Sequence, residues 1–190
     1  MQLEHNQIFT SNQLTESLMS SKHMFGDVQL PASLTRHSQA KADIESHEEL
    51  SELNWMEPLL DGANVLHIGC SFGLWSSRMA QMSERVVCYD GSQERATIAC
   101  EVFDANKQEN ATAVSALDAE DLNLGSVIVV DLRRPMTDDI YHTITDKRPA
   151  ATIIVIGKCT AEIATRLLRS GYKHRDDYHR AAVFELIDQH

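Results

Sequence analysis

"ANVLHIGCSFGLWSSRMA", residues 63–80, begins as a strand, breaks at a glycine and ends as a helix. Val65, Leu66 and Ile68 form a short apolar run bounded by turn residues, the pattern of a strand covered on both faces. Gly69 and Gly73 let the backbone turn tightly and come close to a ligand. "LWSSRMAQM" predicts a helix. A helix that starts at such a turn points its free backbone N–H groups back at the strand end.

The same alternation continues downstream. "RVVCYD" predicts a second strand and "QERATIACEVFDANKQ" a helix. "ATAVSA" and the strongly β-branched "SVIVVD" predict the third and fourth strands, and "MTDDIYHTITDK" a helix. "ATIIVIG" predicts a fifth strand, and "TAEIATRLLRSG" a helix that Gly171 caps at its C-terminal end. "YKHRDD" and "AAVFELI" are joined only by "YHR", which forces them to pair antiparallel. Apolar strands that alternate with helices need parallel pairing with both faces covered. The expected fold is therefore α/β: a doubly wound, mostly parallel seven-stranded sheet with an antiparallel last strand and helices on both faces.

Upstream, residues 1–58 read as a helical N-terminal extension and 59–190 as the α/β domain. "TSNQLTESLMSSK" suits a short helix capped by Thr10 or Ser11, with Leu14, Leu18 and Met19 on one face. "FGDVQLPAS" breaks it with Gly26 and Pro31. "SQAKADIESHEELSELNWMEPLL" is helical in pattern, and Pro58 is expected to kink or end it.

Composition narrows the class. At 190 residues, with 43% hydrophobic and 24% charged side chains, the chain can bury a sizeable single core. No apolar run approaches the ~20 residues that span a bilayer, so no membrane association is expected. The start, "MQLEHNQIFTSNQL", lacks the basic and apolar regions of a secretory signal, so the cytoplasm is the expected compartment. Cys70, Cys88, Cys100 and Cys159 contain no C-x-x-C pair, and the nine histidines no H-x-x-x-H spacing, so no metal site is expected. The net charge of -11 disfavours a nucleic-acid partner without excluding one, because "LRRP" and "RLLRSGYKHR" gather positive charge in the last third.

In open α/β sheets, ligands bind beyond the carboxyl ends of the strands. Asp90, Asp118 and Asp131 all fall at such ends, and Asp90 stands 21 residues after Gly69, near the ~20 expected of a carboxylate that binds ribose hydroxyls. The alternative for all three is a helix N-cap, a common place for Asp.

These segments resemble the class I S-adenosylmethionine-dependent methyltransferases over residues 60–187. That family's first loop reads acid-x-Gly-x-Gly-x-Gly; here it is "HIGCSFG", with His67 for the acid, Gly69 kept, Ser71 for the middle glycine and Gly73 kept. The resemblance implies S-adenosylmethionine as cofactor, held by His67, Gly69, Ser71, Gly73, Asp90 on the ribose and Asp118 at the adenine amino group. It implies that "DLRRP" lies beside the methyl group being transferred, with Asp131 orienting or deprotonating the acceptor and Lys158 or His142 assisting. His67 is also readable as a core histidine on a buried strand. A neutral ring there accepts one hydrogen bond from the cofactor's amino group, whereas a protonated ring repels it. "DLRR" and "GKCT" are similar, more weakly, to motifs of the RNA uracil-5 methyltransferases, with Lys158 falling where the nucleophilic cysteine stands and Cys159 one place away. "RPAATIIVI" and "LLRSGY" are similar to sugar and small-molecule O-methyltransferases.

The expected function is methyl transfer to a small molecule or an RNA. The alternative is a methyltransferase-like protein that binds without turnover, with the N-terminal extension as a surface for a protein partner. A nicotinamide-dependent oxidoreductase fits less well, because the G-x-G-x-x-G fingerprint is absent.

Overall fold

The computed structural model describes residues 24–25, 27–36, 49–117, 125–133, 144, 150–157, 159 and 161–187. A two-residue hairpin, β1 (Met24–Phe25) and β2 (Val28–Gln29), is followed by a short helix α1 (Ala32–Arg36). Then come α2 (Glu49–Leu60), β3 (Asn64–Ile68), α3 (Leu74–Ala80), β4 (Arg85–Tyr89), α4 (Gln93–Ala105) and β5 (Ala111–Val114). The chain continues through β6 (Val127–Asp131), β7 (Thr152–Ile156), α5 (Ala161–Arg169), β8 (Tyr172–Tyr178) and β9 (Ala181–Leu186).

Seven strands form one sheet in the order β5-β4-β3-β6-β7-β9-β8. β5, β4, β3, β6 and β7 pair in parallel, and β9 runs antiparallel to both β7 and β8. The expected doubly wound sheet with an antiparallel last strand is the observed one. The order reverses between β3 and β6, so the carboxyl ends of β3, β4 and β6 meet at the crevice where such sheets bind ligands.

Alternate residues of each strand enter opposite cores. Val65, Val86, Cys88, Val127, Val129 and Ile154 face a core completed by Trp75 and Met79 of α3 and Ala99, Val102 and Phe103 of α4. Leu66, Ile68, Val87, Ile128, Val130 and Ile153 face the other core, with Leu167 of α5 and Tyr172. Each such side chain contributes about 1.5–3 kcal/mol when fully buried, so a one-residue slip of any central strand is strongly opposed.

The segments before β3 belong to the first of these cores. Val28, Leu30 and Leu34, and Leu53, Met56 and Leu60, are packed into it. "FGDVQLPAS", read from its Gly and Pro as a break, holds β2 and the start of α1. Pro58 sits inside α2, which ends two residues later at Leu60. The expected helix over 10–22 lies outside the described residues. Of the one over 136–147 only Ile144 is described, and it is buried.

Candidate functional site

The turn after β3 is clipped to the end of β4: the N–H groups of Gly69 and Cys70 both donate to the Tyr89 carbonyl, at 2.9 and 3.1 Å. Gly69 has φ +85°, and a Cβ there would lie 2.8 Å from the backbone oxygen of Asp131. The position therefore admits only glycine, for reasons of both conformation and space. Ser71, where the family has its middle glycine, takes a left-handed φ of 52° despite its side chain. Gly73 has φ +75°, and its added Cβ would meet the Ala99 Cβ at 2.7 Å. Its absent side chain lets the start of α3 pack against α4 rather than against a ligand.

Asp90 follows β4 and is 4% exposed. Its Oδ2 accepts from the Ser71 N–H at 3.1 Å, which ties the second strand end to the glycine turn. Its Oδ1 accepts from the Ser92 N–H at 3.0 Å and from the Arg95 guanidinium, at 2.8 Å from Nε and 2.6 Å from the terminal nitrogen. The N-cap of α4 is Ser92, whose hydroxyl accepts from the Arg95 N–H at 3.4 Å. Asp90 itself is thus the acid that joins turn, cap and helix.

Asp131 closes β6 and is also buried. Arg133 grips it from the same turn: the Arg133 N–H and Nε donate to Oδ1 at 3.0 and 2.9 Å, and a terminal nitrogen to Oδ2 at 2.5 Å. The Arg133 guanidinium lies 4.5 Å from the centre of the Trp75 ring. A cation over an aromatic face is held there by the ring quadrupole.

His67 lies on the α3 side of β3, between these two pairs, and is 1% exposed. Its Nδ1 hydrogen-bonds the Ser76 hydroxyl at 2.8 Å, while its Nε2 has no partner. Burial lowers its pKa to about 4; Asp131 opposes this, Arg133 adds to it and Asp90 opposes it. The ring is neutral at pH 7, with one nitrogen left over. Cys70 is held as a thiol by burial and by neighbouring Cys88, and Cys159 by burial and Asp177. Neither is set up as a thiolate nucleophile.

Beyond Arg133, which lies beside Gly157, three segments meet: the end of β7, the β8–β9 turn and α2. Gly157, after β7, donates its N–H to the Arg180 carbonyl at 2.8 Å. The Arg180 N–H donates to the buried carboxylate of Glu52 on α2 at 3.2 Å. Trp55 of α2 stacks on Tyr178 at 5.5 Å, and His179 in the β8–β9 turn has φ 52°.

The structure thus brings together His67, Gly69, Ser71, Gly73, Asp90 and Asp131. Asp118, Lys158 and His142 lie outside the described residues. Sequence reasoning passed over Arg95, Ser76, Trp75, Glu52 and Trp55. A signal existed for Arg95, a cation in the first turn of the helix after Asp90. Nothing in the sequence marked Glu52, whose partner is 128 residues away.

The architecture matches solved methyltransferases. An N-methyltransferase, NodS from Bradyrhizobium japonicum WM9, superposes with a TM-score of 0.58 at 15% identity, covering 74% of this chain and 96% of that one. The magnesium protoporphyrin IX methyltransferase ChlM from Synechocystis PCC 6803, with bound SAM, gives 0.56 at 16% identity over 95% and 98% of the two chains. Aeropyrum pernix fibrillarin, with natively bound S-adenosyl-L-methionine, gives 0.55 at 13% identity over 73% and 74%. The chain has the class I methyltransferase fold. No protein-family model matches the sequence, and no curated protein matches it. Among the described residues no cluster of His, Cys, Asp or Glu could hold a metal, and no helix is long and apolar enough to cross a membrane.

Proposed function

We propose that the chain binds S-adenosylmethionine across the carboxyl ends of β3, β4 and β6 and transfers its methyl group to an acceptor at the β6–β7 end. The observation that carries this is Asp90, a buried carboxylate at the end of the second strand, tied by the Ser71 N–H to a left-handed glycine turn. Asp90 would face the ribose, and the backbone of Gly69–Ser71 the amino-acid end. His67 Nε2 supplies a neutral acceptor for an amino group. The sulfonium is an activated donor when bound. The protein's part is to hold the acceptor in line with it, a matter of positioning. Asp131, fixed by Arg133, and the wall of Glu52, Trp55 and Tyr178 serve that end. SAM-bound and N-methylating structural neighbours support the cofactor; the acceptor class is a small molecule or an RNA, with the net charge of -11 favouring the small molecule. We place the protein in the cytoplasm and assign the N-terminal segment as a surface for a protein partner.

The test is calorimetric titration with S-adenosylmethionine and its demethylated product, followed by tritiated methyl transfer into cell extract fractionated into RNA, protein and small molecules. Binding and label in one fraction support the proposal; no binding at millimolar cofactor sinks it. One observation favours a second reading, binding without turnover: Asp90 and Asp131 are both already ion-paired within the chain. Cofactor binding with no label beyond a no-enzyme control would decide for it.

A further inference from the structure

We infer that Arg95 is a gate on the nucleoside site: both hydroxyls of a ribose engage Asp90 only when the Arg95 guanidinium leaves Oδ1. This rests on the cofactor reading above. A carboxylate has about four lone-pair sites. In this structure Asp90 receives four donors: the Ser71 N–H on Oδ2, and the Ser92 N–H, Arg95 Nε and an Arg95 terminal nitrogen on Oδ1. Oδ1 is oversubscribed by three donors and Oδ2 keeps one open site, so one sugar hydroxyl can be served but not a pair.

The four donors are unequal. Ser71 N–H is fixed by the turn, which is itself clipped to Tyr89. Ser92 N–H is fixed by the cap of α4. Arg95 is the movable one, a long side chain in the first turn of α4, 36% exposed, with water on its outer side. Both of its bonds go to the single oxygen Oδ1, so its departure bares one face of the carboxylate and leaves the backbone grip on Asp90 intact. The partner of Asp131 is held differently: Arg133 is tethered to it through its own backbone N–H as well and rests on Trp75.

Arg95 therefore sets both affinity and selection. A ligand must return to Asp90 the charge-assisted hydrogen bonds that Arg95 gives up, and a vicinal diol supplies two O–H donors for that purpose. A sugar lacking one hydroxyl leaves the carboxylate half served.

The experiment is calorimetric titration of wild type, Arg95→Gln and Arg95→Lys with S-adenosylhomocysteine, with thermal melting of each free protein. Arg95→Gln is expected to bind about ten- to a hundredfold more tightly, the range by which one charge-assisted hydrogen bond shifts an equilibrium. Arg95→Lys, which keeps the charge but loses the two-point grip, is expected to fall between. Unchanged or weaker binding by both folded variants, with wild type still binding, would overturn the gate and leave the cofactor reading standing. Absence of binding by all three proteins would overturn both.

Discussion

Asp90 and Asp131 each end a buried parallel strand, and each carries an arginine. The pairs are chemically alike and mechanically different. Arg133 sits two residues beyond its acid, touches both carboxylate oxygens, adds its backbone N–H and lies on an indole ring, with 25% of its side chain exposed. Arg95 reaches back from a helix to a single oxygen and is 36% exposed. The first pair is part of the wall, because its sequence separation and ring contact leave it no other place. The second is an interaction that a ligand can exchange. An ion pair at a strand end therefore says little about function until its tether is known.

The comparison breaks most visibly at Asp131. Replacing it with Asn weakens the anchor of Arg133 and removes the Asp131 carboxylate as a proton acceptor. Methyl transfer is expected to fall by about 10²–10⁴-fold, with cofactor affinity within about threefold of wild type. Tritium incorporation and calorimetry together check this, and an equal loss of binding would show that the two ends are not separable.

His67 lies between the pairs and reports on both. Its folded pKa of about 4 is below the ordinary 6.5, so the unfolded chain takes up its proton first as pH falls. Stability is expected to drop by about 3 kcal/mol between pH 6.5 and 4, and to stop falling on this account below pH 4. Urea unfolding of wild type and His67→Gln across that range checks it: the difference between the two should carry the slope.

At the nucleoside end, Asp90→Ala is expected to weaken S-adenosylmethionine binding by about ten- to a hundredfold, as loss of a charge-assisted hydrogen bond does. Unchanged affinity in a folded variant would remove Asp90 from the site. The smallest effect belongs to Trp75→Phe, which keeps an aromatic face under Arg133 but a weaker one. A loss of about 0.5–1 kcal/mol in thermal stability, with nucleoside binding untouched, would confine the ring to the Asp131 pair.

The sheet was legible because its strands are buried on both faces, so "VLHI", "VIVV" and "TIIVI" had to read as apolar runs, and "YHR" left no room for a crossover. That Asp90 and Asp131 close strands was legible from the apolar runs before them. The arginines' roles were not, since a cation near an acid in sequence reads the same whether the two meet or face water. Glu52 was illegible for a different reason: its partner is a backbone N–H, which every residue but proline has. The pairing of β1 with β2 was hidden because turn residues mark where a chain bends and not whether it comes back to pair.

The hydrogen bond from Arg180 to Glu52 joins positions 128 residues apart. Chains emerge from the ribosome at about 5–20 residues per second. Glu52 therefore waits roughly 6 to 26 seconds for its partner to be made, while β3, β4 and the glycine turn between them are already synthesised. The turn after β3 and its clip to Tyr89 are made of residues synthesised long before Arg180. Until the β8–β9 turn is made, the Glu52 carboxylate has water in place of the Arg180 N–H.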